Sequence, residues 1–316
     1  MSQRSIAVIG AGAWGKNLVR TLAGLDQLAM VCESDATRHE SLAPDAGGAQ
    51  FVTDPGQVME SDVEAVVIAT PAQTHFELGV RALRAGKHVF IEKPMTLSVA
   101  DAEVLCNEAE SLNRTLMVGH LLLYQPAVTF IKNEVIDTGR IGKLVSIHQE
   151  RLNLGRARSV ENVLWSLGVH DVAVAGYLVE SEPLSVKCAG TAFLNPGIED
   201  DVYLHTNFRS GVSSHLHCSW LWPARSRRTI VIGSEAMCVY DELEQKVTLR
   251  KARIESSLAQ FDEGEELIFE GAGEPLKLEM EHFISSFKGG TSPISDGRSA
   301  LDVIRVMERA TQDLKS

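Results

Sequence analysis

Long apolar runs, paired cysteines and an excess of basic residues are all missing from this chain of 316 residues. No apolar run approaches the ~18–20 residues that a membrane-spanning helix needs. The formal net charge is −12, which argues against nucleic acids and anionic membranes as partners, because both attract basic surfaces. The N-terminus runs directly into a strand pattern, so we expect no signal peptide and a cytoplasmic protein.

Cysteine is scarce and scattered. The five cysteines form no C-x-x-C pair: Cys32, Cys106, Cys188, Cys218 and Cys238. This spacing favours buried, reduced thiols over disulfides or zinc, and we expect no metal site. The remaining composition is that of an ordinary globular protein, with 44% hydrophobic and 23% charged residues. A chain of this length is expected to form two domains.

Short apolar runs alternate with amphipathic segments over residues 1–121. The runs do not alternate internally, as in parallel strands that are covered on both faces. We therefore predict a doubly wound α/β domain over this range. The strand candidates are Ile6–Ile9, Leu28–Val31, Val63–Ala69, Val89–Ile91 and Thr115–Val118.

Residues 122–316 show a different pattern, with a strand of alternating polarity in "GKLVSIHQERLNL" between two helical segments, near 126–136 and 160–178. Five or six more alternating strands follow, and two amphipathic helices, about 276–287 and 298–315, end the chain. Consecutive strands with short turns predict a second, α+β domain that has a large, open and mainly antiparallel sheet. The strands are centred near Val186, Tyr203, Leu216, Val231, Val239 and Val247.

A G-x-G-x-x-G sequence follows the first strand and begins a helix, which is the context of a dinucleotide site. Gly10 permits the tight turn, Gly12 the close approach of a pyrophosphate and Gly15 the packing of helix on strand. The helix N-terminus provides free N–H donors. The alternative is a βα turn that binds no dinucleotide. The residues of the motif expected at the cofactor are Gly10, Gly12, Ala13, Trp14 and Gly15.

Glu33 lies at the end of the second strand, where an acid binds the adenosine ribose. A carboxylate repels a 2′-phosphate, so NAD is predicted rather than NADP, although Arg38 weakens this preference. The segment "VVIATPAQTH" ends another strand, at the edge where ligands bind. It is expected to place Thr70, Pro71, Thr74 and His75 beside the nicotinamide half. For His75, a polar role at a helix N-terminus is an equal alternative.

The segment "HVFIEKPMT" ends an apolar run with a carboxylate, an ammonium and a proline. Hydride transfer from a hydroxyl carbon needs a base for the proton and a positive charge for the developing alkoxide. A partly desolvated Lys93 meets the second need, and Glu92 can orient Lys93 or the cofactor ribose. The alternative is an ordinary surface ion pair.

The motifs "GAGAWG", "ATPAQTH", "IEKP" and "VGHLLLYQPAV" occur in this order. Together they resemble the Gfo/Idh/MocA family of NAD(P)-dependent sugar and polyol oxidoreductases, over essentially the whole chain. The resemblance implies a Rossmann domain, a catalytic Lys93 that is often followed by a cis proline bond, and His170 as the general acid/base. The family usually has an aspartate where this chain has Ser166, so either Asp171 or the substrate would orient His170, or catalysis would be slower. Without the resemblance, the pattern favours a core histidine, because His170 shares a helical stripe with apolar residues.

The segment "ERLNLGRARSVENVLWSLGVHD" is similar to the subgroup that oxidises the 3-hydroxyl of UDP-N-acetylated hexoses. It implies a nucleotide-sugar substrate, a 3-keto product and a downstream aminotransferase. Its arginines suit a diphosphate in an acidic protein, and "WPARSRRT" offers further arginines beside Trp220 and Trp222, with solvated strand ends as the alternative. The expected substrate contacts are His120, Tyr124, Arg151, Asn153, Arg156, Arg158, Asn162, Trp165, Ser166 and His170.

His215 and His217 alternate on one strand and so share a face, with His205 as a predicted neighbour. This resembles a metal pair only superficially, because no carboxylate or cysteine stands at ligand spacing. The family associates through this open sheet, which implies a homodimer or homotetramer. Alternative functions are a dehydrogenase for another sugar, inositol or a UDP-uronic acid, and a regulatory protein that senses NAD without turnover.

Overall fold

Two compact units make up the computed structural model, which describes residues 4–315. The first contains the chain up to Leu121 together with Leu276–Ile304, and the second contains Leu122–Pro275 with the chain from Arg305 onward. The sequence predicts that residues 122–316 form a single domain, and this needs correction. Residues 276–304 belong to the first unit, because their apolar face packs on its sheet.

The first unit is built on a six-stranded sheet in the order β3-β2-β1-β4-β5-β6. All neighbouring strands are parallel, so the predicted doubly wound sheet is confirmed. Only the edge strand β3 has no predicted counterpart, since three residues carry too little pattern. The strands are β1 Ile6–Ile9, β2 Leu28–Cys32, β3 Gln50–Val52, β4 Ala65–Ile68, β5 His88–Glu92 and β6 Leu116–Gly119.

Helices connect the strands, and each buries one apolar stripe. Ser98 accepts a hydrogen bond from the backbone N–H of Asp101 and so caps the start of α5. The helices that the first part of the chain contributes are α1 Gly15–Gly24, α2 His39–Leu42, α3 Pro55–Glu60, α4 His75–Arg84 and α5 Val99–Ser111.

Helix α8, Pro275–Gly289, packs on β5 through aromatic side chains. Phe283 contacts Phe90 with ring centroids 5.7 Å apart, and Phe287 stacks on His88 at 5.3 Å. These rings would be exposed if the first unit ended at residue 121. Burial of apolar surface therefore explains why the chain returns to this sheet. The last helix, α9, covers Gly297–Leu314.

The second unit contains an eight-stranded sheet in the order β14-β13-β12-β11-β7-β10-β9-β8. Only β7 and β10 pair in parallel, so the sheet is mainly antiparallel, as predicted. The strongly acidic β14 has no predicted counterpart. The strands are β7 Leu144–Leu154, β8 Pro183–Thr191, β9 Asp201–Phe208, β10 Ser213–Ser219, β11 Leu221–Gly233, β12 Met237–Asp241, β13 Lys246–Ile254 and β14 Gln260–Glu270.

Two helical segments of this unit contain π-helical turns. Helix α6, Pro126–Phe130, continues into a π-helix over Ile131–Ile136, and the π-helix Leu164–Gly168 leads directly into α7, Val169–Val179. Widened turns of this kind are frequent at functional sites. Among residues 4–315, none of the helices combines the length and apolar character that crossing a membrane requires.

Candidate functional site

The glycine-rich loop joins β1 to α1 and has the geometry that a dinucleotide requires. Gly10 has φ +89°, and a Cβ there would lie 2.8 Å from the carbonyl oxygen of Ala69. A Cβ on Gly15 would lie 2.0 Å from the carbonyl oxygen of Gly10. At Gly12, by contrast, an added Cβ would meet no atom within 4 Å. Protein packing therefore demands Gly10 and Gly15, whereas the bare surface at Gly12 suits the close approach of a phosphate.

Glu33 directly follows β2, and its carboxylate faces this loop. One carboxylate oxygen accepts a hydrogen bond from the backbone N–H of Ala11 at 3.0 Å, and Arg38 donates to the same oxygen at 3.2 Å. Arg38 also donates to the carbonyl of Ala11 at 2.9 Å. Glu33 and Arg38 are thus held against the glycine-rich loop, at the position where an acid binds the adenosine ribose.

His75 supports a turn instead of facing a ligand. Its side chain is 1% exposed, and its two ring nitrogens lie 2.8 Å from the carbonyl oxygens of Thr70 and Pro94. Burial lowers its pKa. A neutral imidazole carries one N–H and donates to only one of these carbonyls, but the ring is buried between the two, which favours the alternative of a structural role over the expected contact with the cofactor. The neighbouring hydroxyls of Thr70 and Thr74 are exposed and bond each other at 2.7 Å.

The Glu92-Lys93-Pro94 turn lies at the carboxyl end of β5, and the Lys93–Pro94 bond is cis. Glu92 is buried. It accepts hydrogen bonds from the indole N–H of Trp14 and, at 3.3 Å, from the backbone N–H of Lys93. These contacts tie the glycine-rich loop to the lysine turn and exclude the alternative of a surface ion pair for Glu92. Burial raises the pKa of Glu92 to about 7, although Trp14 and Lys93 oppose the rise.

His120 follows β6, the strand that pairs with β5. It is 3% exposed, and neither ring nitrogen has a hydrogen-bond partner among the residues that the structure describes. Burial and the nearby charge of Lys93 lower its pKa to about 4. A neutral imidazole therefore stands within electrostatic reach of the lysine ammonium.

His170 lies in the first turn of α7, directly after the π-helix that contains Ser166. The His170 side chain is half-buried. Both Asp171 carboxylate oxygens accept hydrogen bonds from the guanidinium of Arg151, which disfavours Asp171 as the group that orients His170. Orientation of His170 by the substrate stays a prediction.

Arg151 was expected to contact a diphosphate, and this expectation needs correction. Its side chain is 8% exposed. Besides Asp171, it donates to Glu242 at 3.0 Å, and Arg227 donates to the same carboxylate group at 2.8 Å. The Arg151 guanidinium is therefore part of a buried ion network, in which every charge has an opposite partner.

Asn162 and Trp165 also make internal contacts. Asn162 donates to Glu199 at 2.6 Å and accepts from the backbone N–H of Trp165 at 3.1 Å. The indole of Trp165 donates to Thr311 at 2.9 Å. These bonds order the start of the π-helix, so the amide of Asn162 has a structural role in place of the predicted substrate contact.

The other expected substrate residues differ in exposure. Tyr124 and Ser166 are buried, Asn153 is half-buried, and Arg156 and Arg158 are exposed on the loop after β7. Neither of these arginines has an ion pair within the described part of the chain. No acidic side chain of the described residues neutralises the charge of Arg156 or Arg158, in contrast to the charge of Arg151.

Three residues of the second arginine group, Arg227, Arg228 and Trp220, also have internal partners. Arg228 pairs with Asp241 at 3.1 Å, Arg227 belongs to the buried network, and Trp220 is a core residue that donates to Asp200. This favours the alternative of strand-end ion pairs and core packing.

Histidines line up across three strands of the second sheet. His205 pairs with His215 in register, and their Nδ1 atoms are 2.6 Å apart. His148 stacks on His215 with ring centroids 4.6 Å apart, and Tyr203 stacks on His217 at 3.9 Å. The predicted neighbourhood of His205 is confirmed. Over residues 4–315 no group of three or more side chains has an arrangement that could hold a metal ion.

A cavity of about 450 Å³ opens at the amino ends of β5 and β6. It is lined by His88, Arg114 and Arg298, among others, and Arg298 is paired with Glu110. Ligands of doubly wound sheets bind at the carboxyl ends of the strands. The cavity is therefore distinct from the cofactor site.

Comparison with known families assigns both parts of the chain. Residues 4–120 match the Gfo/Idh/MocA oxidoreductase family, NAD-binding Rossmann fold, and residues 133–239 match the C-terminal domain of the same family. The chain belongs to the Gfo/Idh/MocA oxidoreductases. It therefore has an NAD-binding Rossmann domain, as the glycine-rich loop and Glu33 predict.

Three relatives are similar to this chain, and two of them are named for a substrate. The scyllo-inositol 2-dehydrogenase (NAD(+)) of Bacillus subtilis is 29% identical over 98% of this chain and 94% of its own length. A putative oxidoreductase from Magnetospirillum magnetotacticum is 31% identical, with a TM-score of 0.81 over 96% of this chain and 98% of its own.

The third relative is the UDP-N-acetylglucosamine 3-dehydrogenase of Acidithiobacillus ferrooxidans. It is 31% identical over 58% of this chain and 57% of its own length. A solved structure of that enzyme has a TM-score of 0.88 at 23% identity, over 100% of this chain and 99% of its own.

One buried acid escaped the sequence analysis. Glu279 in α8 is 0% exposed, and in the described structure neither carboxylate oxygen has a hydrogen-bond partner. In "LKLEMEHF" it reads as one of several polar residues of an amphipathic helix. Only the packing of α8 on β5 reveals its position.

Proposed function

We propose that the chain is a nucleotide-sugar 3-dehydrogenase. It would oxidise the 3-hydroxyl of a UDP-N-acetylated hexose, with UDP-N-acetylglucosamine as the first candidate, to a 3-keto sugar. An aminotransferase partner would convert the product to a 3-amino sugar for lipid A or surface polysaccharide. The observation that carries the proposal is the exposed, unpaired pair Arg156 and Arg158, within the segment that resembles the nucleotide-sugar subgroup.

The reaction needs two groups besides the cofactor, and we assign them to Lys93 and His170. Bound NAD, held by the glycine-rich loop and Glu33, would supply the acceptor for the hydride of C3. The imidazole of His170 takes the hydroxyl proton, and the ammonium of Lys93 stabilises the oxygen as it becomes negative. His120 stays neutral, so it does not compete with Lys93 for that oxygen as a second cation. Asn153, Tyr124, Trp165 and Ser166 remain proposed substrate contacts.

UDP binding tests the proposal, because a diphosphate site should stabilise the folded chain. We expect UDP to raise the melting temperature of the wild type and of Arg228→Ala, but much less that of Arg158→Ala. Arg228 is a matched control, since it is exposed and already ion-paired. No shift of the wild type with UDP would contradict the proposal.

The main rival is an inositol dehydrogenase, which is favoured by the relative that matches over almost the full length. Arg151 and Asn162 bind acidic side chains of the chain itself, which also weakens the case for a diphosphate substrate. Incubation with NAD and either UDP-N-acetylglucosamine or an inositol, followed by NADH absorbance, separates the two. A protein that binds NAD but reduces it with neither sugars nor inositols would instead be the NAD-sensing regulator.

A further inference from the structure

Two pairs of aromatic rings join α8 to β5 in a regular order, and the charge of Glu92 acts on Glu279 one step further along. Phe287 contacts His88 and Phe283 contacts Phe90. From Phe287 to Phe283 the helix moves back by four residues, about 6 Å, while from His88 to Phe90 the strand moves forward by two residues, about 6.6 Å. A further step of the same size leads from Phe283 to Glu279 and from Phe90 to Glu92. The regular packing thus brings two buried carboxyl groups together.

The two carboxyl groups have unequal surroundings. Glu92 accepts hydrogen bonds from Trp14 and from the backbone of Lys93, both of which stabilise its ionised form. Glu279 is fully buried, and no described residue donates to it. Burial, with the charge of Glu92 as a second cause, raises the pKa of Glu279 well above its ordinary value. When one proton leaves the pair, it therefore leaves from Glu92.

We propose that Glu279 is a positioning residue for the cofactor half of the site: its uncharged carboxyl keeps the single negative charge of the pair on Glu92. Ionised Glu92 then holds the indole of Trp14, which lies in the glycine-rich loop, and the turn that carries Lys93. The proposal concerns NAD binding and does not depend on the identity of the sugar.

The other titratable groups around the pair are Lys93, beside Glu92 at the end of β5, and His120, at the end of β6. Lys93 stabilises the charge on Glu92, and buried His120 is neutral above about pH 4. Trp14 brings a donor and no charge from the start of α1. Ionisation of Glu92 is therefore the event that changes the charge of this cluster near neutral pH.

NAD affinity as a function of pH, measured by calorimetry on the full chain, tests the proposal. In the wild type we expect affinity to rise about three- to tenfold through neutral pH, because a bond to a charged acceptor is stronger than one to a neutral acceptor. Glu279→Gln keeps an uncharged group of the same size, so its rise should coincide with that of the wild type, and uncharged Glu279→Leu should not lower it either. If Glu279 were ionised in the wild type, removing its charge in either variant would move the rise to lower pH.

A thermal readout separates this role from simple packing. Above about pH 4.5 the unfolded chain loses the Glu279 proton while the folded chain keeps it, so this residue costs stability as pH rises. The melting temperature of Glu279→Gln relative to the wild type should therefore climb from about pH 5 to about pH 9. A difference in melting temperature that stays constant from about pH 5 to about pH 9, or an NAD profile of Glu279→Gln that rises at clearly lower pH than that of the wild type, would overturn the proposal.

If neither variant folds, infrared spectra of the wild type decide the question. Ordinary carboxyl groups are ionised at about pH 9. A protonated-carboxyl C=O band that persists at this pH supports a neutral Glu279, and its absence overturns the proposal.

Discussion

Charged and titratable side chains are buried in both units, but their partners differ. In the second unit Arg151, Asp171 and Glu242 neutralise one another within a network of short ion pairs. In the first unit Glu279 and His120 have no hydrogen-bond partner among the described residues, and both lie near the Glu92-Lys93 turn. A buried group with all its partners supports the fold, whereas an unsatisfied one close to a cofactor loop indicates function.

The strongest test of this contrast removes the positive charge of Lys93 in the first unit. Lys93→Met should lower the rate of NADH formation by about a thousandfold, because it removes the half-buried charge that we propose stabilises the alkoxide. Its melting temperature should stay close to that of the wild type. The substrate is UDP-N-acetylglucosamine or whichever sugar proves active. Lys143→Met removes an exposed lysine and should keep full activity; a Lys93→Met activity within tenfold of it would refute the role.

The ion network of the second unit predicts a loss of stability instead. Asp171→Ala leaves the buried Arg151 with only Glu242, and we expect the free energy of unfolding to fall by about 3–5 kcal/mol. Urea denaturation measures this change. Arg228→Ala breaks an exposed pair with Asp241 and should cost at most about 1 kcal/mol. Equal losses in the two variants would show that burial does not distinguish these pairs.

His120 should make the wild type sensitive to acid. Because its pKa is lowered from 6.5 to about 4 in the folded protein, the unfolded chain takes up a proton first as pH falls. Stability is therefore lost between about pH 6.5 and pH 4. His120→Gln removes this loss, so its free energy of unfolding relative to the wild type should rise by roughly 2 kcal/mol from pH 7 to pH 4.5. A difference that is independent of pH would contradict the assignment.

The smallest expected effect concerns the choice of cofactor. Glu33→Ala removes the carboxylate that repels a 2′-phosphate and releases Arg38 from its ion pair. The ratio of NADP to NAD affinity should rise about tenfold, as measured by calorimetry. Glu40→Ala, an exposed acid of α2, is the matched control and should leave the ratio unchanged.

The sequence predicts the parts of this molecule that depend on local pattern. Apolar runs identify five of the six parallel strands, and the glycine spacing identifies the cofactor loop. Pairings between distant residues do not follow from local pattern. The sequence shows that Arg151 and Asn162 are polar residues close to His170 along the chain. It does not show that Asp171 binds Arg151 or that Glu199 binds Asn162. Likewise, His75 ends up between two carbonyl groups, one of them 19 residues away.

Helix α8 has a consequence for the order in which the protein is made. The first unit includes residues up to Ile304, so a ribosome that has finished Leu121 has not yet produced the helix that covers Phe90 and Glu92. Until nearly the whole chain has emerged, the cofactor-binding sheet exposes an apolar face and the side chain of Glu92, which is buried in the folded protein. A fragment that ends at residue 121 should therefore aggregate, and it should recover only when a chain that carries α8 is supplied.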